Sequence, residues 1–434
     1  MLAAQIRRFP DLEVDALNVK GLQQRDAGLA EAIYGVTLRR WITLRTVLEH
    51  CLDRPSQRLD PRVGAVLLAG AAQILFLDRV PPHAACSEAA TWVRKIAGEP
   101  KTKLVNAVLR RLCRLALDEH ENKRRLDTYT GGRNEIPLPN GGCIDLGEEV
   151  LPEDPLERLS AATSVPAAHL RAWLRAMPMR DVRELAMHCI VQPPIILNTA
   201  GATDGLAAHV RPHSIPGHHV FDGSHDQLLK LLQSTGNVWV QDPASSLAVE
   251  MAGDLQPELV VDVCAGKGTK TRQLARQFPD ATIVATDIDE PRMQVLRQTL
   301  RGSDVMIIDY ERLIEWGGKA DLVLLDVPCS NSGVLGRRLE ARYRVSDDRI
   351  GSLVATQRQI IADSIRLLKG GAGSGAGMLY STCSLGVEEN EEQAAWAARW
   401  HGLRVDRESR RLPSGTPDTR SETYCDGSYA ALLR

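Results

Sequence analysis

The chain has 434 residues, 44% of them hydrophobic and 25% charged, with a formal charge of −2. That length exceeds what one hydrophobic core organises, and the average composition excludes long disordered stretches and a uniformly basic chain. No apolar run reaches the ~18 residues of a membrane span. The nine cysteines include no Cys-x-x-Cys pair, so they read as neither a disulfide framework nor a zinc site; a monomer in the cytoplasm, with neither metal nor membrane, is expected.

Residues 1–120 read as an all-helical domain. Val63, Val66, Leu67, Ile74 and Leu77 follow the three-and-four spacing of one buried stripe. Pro81-Pro82 ends one helix, and Gly98 and Pro100 interrupt the next. The domain holds 18 Lys and Arg against 13 Asp and Glu, with Arg94, Lys95, Lys101, Lys103, Arg110, Arg111 and Arg114 crowded together. Each of these alone reads as part of a solvated helix face. Residues 121–150, punctuated by Gly131-Gly132, Pro137, Pro139 and Gly141-Gly142, read as a linker or insertion. Residues 151–235 mix a helical run over 167–187 with the extended Pro194-Ile195-Ile196-Leu197, which suggests a small α+β subdomain.

From residue 236 to 434 the pattern alternates. Apolar runs at 259–263, 282–285, 305–308, 322–325 and 378–380 are separated by helix-length segments, the signature of a doubly wound, Rossmann-like α/β sheet. Residues 370–377 read as a Gly-rich tight loop. Ligands of such sheets lie beyond the carboxyl ends of the strands, so the residues following each run are the candidates for chemistry.

The first run leads into Asp262-Val263-Cys264-Ala265-Gly266-Lys267-Gly268-Thr269-Lys270-Thr271. Gly266 and Gly268 let the backbone approach a ligand closely, and the helix that follows offers free N–H groups. The absence of a Gly-Lys-Ser/Thr triplet excludes a Walker A loop, and Thr271 stands where a dinucleotide fingerprint has its third small residue. Asp287, Asp309 and Asp326 end the second, third and fourth runs. One such acid reads as a cap or turn residue. Three around a glycine loop suit a nucleoside such as S-adenosylmethionine better than a pyrophosphate, which carboxylates repel.

Two thiols stand at neighbouring strand ends, in Asp326-Val327-Pro328-Cys329-Ser330 and in Ser381-Thr382-Cys383-Ser384. A cysteine after a buried strand is more often a small core hydrophobe, but two at equivalent ends are harder to dismiss. These motifs, with Glu388-Glu389-Asn390 after the second, resemble those of the Nol1/Nop2/Sun family of RNA 5-methylcytosine methyltransferases. The resemblance extends to the bacterial branch acting on 16S ribosomal RNA. Val80-Pro81-Pro82-His83-Ala84-Ala85 and Asn106-Ala107-Val108-Leu109-Arg110-Arg111 are similar to that branch's NusB-like domain, and Gln241-Asp242-Pro243-Ala244-Ser245 to the start of its catalytic domain.

The resemblance implies a Rossmann-like methyltransferase domain preceded by an all-α NusB-like domain and a small α+β RNA-binding subdomain. It implies that Cys264, Ala265, Gly266, Lys267, Gly268, Thr269 and Lys270, with Asp287, Asp309 and Asp326, hold S-adenosylmethionine. It further implies Cys383 as the nucleophile toward an unpaired RNA cytosine, Cys329 as the thiol that assists release, and Lys270 near the reacting centre. Asp326 is expected to give a proton toward N3, with a pKa raised by burial. Arg337, Arg338, Arg342 and Arg344 are expected on RNA phosphates. The glycine loop departs from the family's Ala-Pro-Gly-Gly-Lys, and Ser428 stands where the family has an aromatic residue. The competing reading is a catalytically inactive ribosome-assembly factor of the same fold, against which both cysteines, Lys270 and the three acids argue.

Overall fold

A computed structural model describes residues 1–14, 16–53, 55, 59–120, 122–201, 209–235, 237–371 and 375–434. Part of the expected Gly-rich loop, residues 372–374, lies outside them. The chain divides into two compact units. The first comprises Met1–Gln192, Leu335–Val345 and Thr416–Thr419, and the second Pro193–Val334, Ser346–Gly415 and Arg420–Arg434.

Unit 1 begins with helices α1 (Leu2–Arg8), α2 (Gln24–Arg39), α3 (Trp41–Cys51), α4 (Pro61–Phe76) and α5 (Pro82–Ala116). Asp60 caps α4, its carboxylate accepting from the Arg62 N–H, and Pro61 takes the first-turn position where no donor is needed. Helix α5 starts on Pro82 and breaks its helical geometry at Gly98, where φ is 76°, as the Gly98/Pro100 pair predicts. Val63, Leu67 and Ile74 of the expected stripe are buried in a core with Leu38, Leu44, Val105 and Leu109.

The expected linker is instead part of this core. Strands β1 (Arg125–Leu126), β2 (Glu135–Pro137) and β3 (Cys143–Asp145) form an antiparallel sheet in the order β1-β3-β2, and Ile136, Leu138, Ile144 and Leu146 join the helical core. Arg40, fully buried, donates to Pro137 O at 2.7 Å. Desolvation first, then Arg342 and Arg39, pulls the Arg40 pKa down to about 9. Helices α6 (Pro155–Thr163), α7 (Ala167–Leu174) and α8 (Met179–His188) complete the N-terminal stretch of this unit, so the helical run expected over 167–187 is two helices separated by Pro178.

Unit 2 holds two sheets. The smaller consists of β4 (Ile195–Asn198), β5 (Val210–Pro212), β6 (His218–Phe221) and β7 (Trp239–Val240), antiparallel in the order β5-β6-β4-β7. Helix α9 (His225–Ser234) follows β6 behind a Ser224/Gln227 capping box. The small sheet thus takes its last strand from beyond residue 235. After α10 (Pro243–Met251) the chain builds the larger sheet from β8 (Leu259–Asp262), β9 (Thr282–Ala285), β10 (Met306–Ile307) and β11 (Leu322–Asp326), with α11 (Thr269–Gln277) and α12 (Glu290–Thr299) as crossovers. Helix α13 (Leu339–Tyr343) belongs to unit 1. Helix α14 (Asp347–Ile365), β12 (Gly377–Thr382), α15 (Glu391–His401), β13 (Val405–Arg411) and β14 (Ser428–Leu433) finish the larger sheet.

The strand order is β10-β9-β8-β11-β12-β14-β13. The first five strands are parallel, and β14 runs antiparallel between β12 and β13. The order reverses between β8 and β11, which opens a crevice at their carboxyl ends. Leu322, Val323, Leu324 and Leu325 are fully buried, as a central parallel strand covered on both faces requires.

Two of the four arginines expected on RNA phosphates hold unit 1 together instead. Arg342 is fully buried and donates to Arg39 O at 2.7 Å, Cys189 O at 2.6 Å and Leu335 O at 3.0 Å. Tyr343 OH donates to Leu38 O at 2.6 Å, and Arg344 donates to Leu12 O. Leu38 and Arg39 end α2 and Cys189 ends α8, so Arg342 and Tyr343 satisfy carbonyls that a helix end leaves without a partner. Arg337 and Arg338 remain exposed.

Candidate active site

The glycine loop leaves β8 and closes on α11. Gly266 has φ 57°, with open space where a side chain would start; Gly268 has φ 89°, and a Cβ there would meet Leu296 at 2.9 Å. The two glycines therefore have different causes: Gly268 packs tightly, whereas Gly266 presents bare backbone to the crevice. Thr269, which replaces a glycine of the family's loop, sits one residue after the left-handed Gly268, already inside α11, in ordinary helical backbone.

Asp287 ties this loop to the next strand end. Its Oδ2 accepts from Gly266 N at 2.8 Å and its Oδ1 from Asp289 N at 2.9 Å. Asp309 lies farther out and accepts from Arg297 at 2.8 Å. Asp262, at the end of β8, is fully buried; Thr271 Oγ1 donates to Oδ2 at 2.7 Å, while Oδ1 has no hydrogen-bond partner among the described residues. Desolvation outweighs the Thr271 bond and raises the Asp262 pKa to about 7. The sequence shows this aspartate at the head of the glycine-loop motif, but only the structure shows its burial. Ile288, 79% exposed beside Asp287, was equally unremarkable in sequence. Burial and the surrounding carboxylates push the Cys264 thiol upward, so it stays protonated.

Lys270 Nζ donates to Asp326 Oδ2 at 2.8 Å, and Ser381 Oγ to Asp326 Oδ1 at 2.8 Å. The Asp326 side chain keeps 35% of its exposure, so the burial expected for a proton donor is not found, and both its oxygens are engaged as acceptors. Burial pulls the Lys270 ammonium toward the neutral amine, but Asp326, with smaller help from Cys383 and Asp262, reverses this, and the pKa is raised overall.

Strands β11 and β12 pair with Asp326 opposite Ser381, so the loops after them run side by side. This brings Cys329 Sγ to 3.3 Å from Cys383 Sγ. The Cys329 thiol is raised well above its ordinary range by its hydrogen bond to Cys383, then by burial. Cys329 therefore stays a thiol.

A buried carboxylate organises both loops. Glu389 Oε1 accepts from Ser330 N at 2.8 Å and from Gln357 Nε2 at 3.1 Å, and Oε2 accepts from Ser384 Oγ at 2.5 Å. Gln357 Nε2 also donates to Pro328 O at 2.9 Å, and Asn390 Nδ2 to Ser384 O at 3.0 Å. Gly333 N donates to Cys383 O at 2.8 Å, and a Cβ on Gly333 would stand 2.7 Å from that oxygen. Among the described residues no group of His, Cys, Asp and Glu could hold a metal ion, and no helix is long and apolar enough to cross a membrane.

The family model of the RsmB/F 16S rRNA methyltransferases matches residues 252–414, and that of the NusB family residues 4–114. The chain is 28% identical to the ribosomal RNA small subunit methyltransferase B of Vibrio cholerae over 95% of its own length and 90% of the relative's. It is 27% identical to the namesake from Shewanella oneidensis, over 93% and 90%. Residues 252–414 thus match an RsmB/F-type methyltransferase domain, and residues 4–114 a NusB-family domain. The solved structure of PH0851 shares the fold, with a TM-score of 0.66 at 20% identity over 96% of this chain and 91% of that one. A methyltransferase homologue from Pyrococcus horikoshii gives a TM-score of 0.51 at 20% identity, over 65% and 99%.

Within the stretch that matches the RsmB/F model, the structure brings Lys270, Asp326, Cys329 and Cys383 to one crevice edge and the glycine loop, Asp262 and Asp287 to the other side of the β8/β11 switch. Sequence reasoning left Asp262, Asn331, Gln357, Ser381 and Glu389 without roles. Asp262, Ser381 and Glu389 stood inside the motifs quoted for the glycine loop and the second cysteine, but position alone gave none of them a role.

Proposed function

We propose that this chain methylates C5 of an unpaired cytosine in RNA, 16S ribosomal RNA being the substrate class, through a covalent bond between Cys383 and C6. The observation that carries the proposal is the pair of thiols 3.3 Å apart at the ends of adjacent parallel strands, beside the glycine loop. The relatives' shared name, ribosomal RNA small subunit methyltransferase B, supports the substrate class.

The residues fit S-adenosylmethionine. The bare backbone of Gly266 admits a ligand, Asp262 Oδ1 is a buried acceptor without a partner and suits an ammonium, and Asp287 suits ribose hydroxyls. When bound, this group supplies an electrophilic methyl on a sulfonium. Cys383 adds its sulfur to C6 and turns C5 into an enamine carbon able to take the methyl. Lys270 and Asp326 form a charged pair able to hold a proton near the ring as charge builds there. Cys329, kept as a thiol, stands 3.3 Å from the sulfur that must leave C6 after C5 loses its proton. The base has to leave its stack to reach these groups, which selects a loop or single-stranded site.

The two cysteines are separable by experiment. Cys383→Ala abolishes methylation and any covalent RNA complex on a denaturing gel, whereas Cys329→Ala accumulates a complex that releases slowly. A trapped complex in Cys383→Ala and none in Cys329→Ala would reverse the assignment.

A further inference from the structure

Asn331 follows the Pro-Cys-Ser motif with φ 60°, one of three non-glycine residues of positive φ among those described. Asparagine tolerates this left-handed conformation when its short side chain finds local hydrogen bonds. It finds two here. Nδ2 donates to Cys329 O at 2.9 Å, and Oδ1 accepts from Cys383 Sγ at 3.3 Å. A carbonyl oxygen can only accept, so Cys329 O fixes the amide nitrogen on its own side and leaves the amide oxygen facing the other sulfur.

The Cys383 sulfur therefore lies between an acceptor, Asn331 Oδ1, and a possible donor, Cys329 Sγ–H. As a thiol it satisfies the amide oxygen. As a thiolate it sets two electron-rich atoms against each other, and the carboxamide has to swing away. The charged groups around it are the Lys270 ammonium, which favours the thiolate, Asp326 paired with that ammonium, and Glu389 holding the backbone of both cysteine loops.

We infer that Asn331 is a positioning residue that latches Cys383 in its thiol form while the site is at rest, and that releasing the carboxamide is part of activating the nucleophile. The inference rests on Cys383 being the nucleophile, but its test needs neither RNA nor methyl donor, so the two readings fail separately. The readout is the rate at which iodoacetamide alkylates Cys383 in the full chain across a pH series, resolved from the other eight cysteines by peptide mass spectrometry.

Asn331→Gly keeps the left-handed backbone and removes the acceptor. Alkylation of Cys383 at pH 7 should rise about threefold or more, with the midpoint shifted to lower pH by about half a unit or more. Asn331→Asp replaces the amide with a group of the same shape that only accepts, and should move the midpoint in the opposite direction. A purely structural role for this loop would move both variants the same way, or alter Cys329 and Cys383 alike. Either of those results, or an unchanged midpoint in both variants, overturns the latch.

Discussion

Lys270 and Asp326 reach each other from different elements, the first turn of α11 and the last residue of β11, at 2.8 Å. The lysine side chain keeps only 14% of its exposure, so its charge depends on that carboxylate. In Asp326→Asn, burial acts on Lys270 without its main counterweight, and the alkaline limb of the methylation pH profile should move to lower pH. Activity should fall about 100-fold or more. An alkaline limb identical to the parent's would show that Lys270 is not the group titrating there.

Asp262 makes a prediction about stability. Below pH ~4 its carboxyl is protonated whether the chain is folded or not. As pH rises from there toward 7, the unfolded chain releases the proton and the folded chain, with its pKa raised to about 7, does not, so rising pH favours unfolding. Above that value both states are ionised and the loss levels off. Asp262→Asn removes this dependence and, without cofactor, should be more stable than the parent at pH 8 by on the order of 2–4 kcal/mol. Denaturant titrations at pH 5 and pH 8 would read the difference, and parallel curves for both proteins would contradict it.

Glu389 should be a stability residue as well as an organiser of the site. Glu389→Ala strands Ser330 N and takes one acceptor each from Ser384 Oγ and Gln357 Nε2 in a buried setting, at a cost of about 2 kcal/mol or more. Glu389→Gln keeps shape and part of the bonding and should lose less. Chemical denaturation ranks the three proteins, and a Glu389→Ala variant as stable as the parent would refute the role.

The arginines after the Pro-Cys motif divide into two kinds. Arg342→Met should destabilise the protein by about 3 kcal/mol, because two buried carbonyls and one part-buried carbonyl lose this donor, and should leave the salt dependence of RNA binding unchanged in whatever fraction stays folded. If exposed Arg338 contacts a phosphate, Arg338→Ala leaves stability nearly unchanged and flattens the plot of log affinity against log salt by about one unit of slope. Filter-binding titrations at several salt concentrations separate them.

Sequence alone made the parallel strands legible because β8, β9, β11 and β12 are covered on both faces and so read as unbroken apolar runs. Strand β13 escaped because Val405–Arg411 is mostly polar and half-exposed at the sheet edge, and β14 because a short, fully buried apolar run cannot be told from a buried helix segment by its period. The β1–β3 sheet was invisible for a related reason: strands of two or three residues cannot display alternation. At the site, the cysteines and strand-end acids stood out by position. Asn331 and Glu389 did not, since an asparagine's backbone angle and a glutamate's burial are tertiary facts. Arg342 shows the opposite error, a charge expected on RNA phosphates that is enclosed by backbone carbonyls.

Unit 1 is discontinuous in the chain, and this bears on how it can be made. Its α2 and α8 ends wait for Arg342 and Tyr343, which emerge from the ribosome about 150 residues after Gln192. At ordinary elongation rates that interval lasts roughly ten to thirty seconds. During it the helices must persist with open carboxyl ends, or remain chaperone-bound, and the same deficit is permanent in a fragment cut at Gln192. The N-terminal helices are therefore a poor candidate for expression alone, and an excised N-terminal piece is better built with α13 supplied as a tethered peptide.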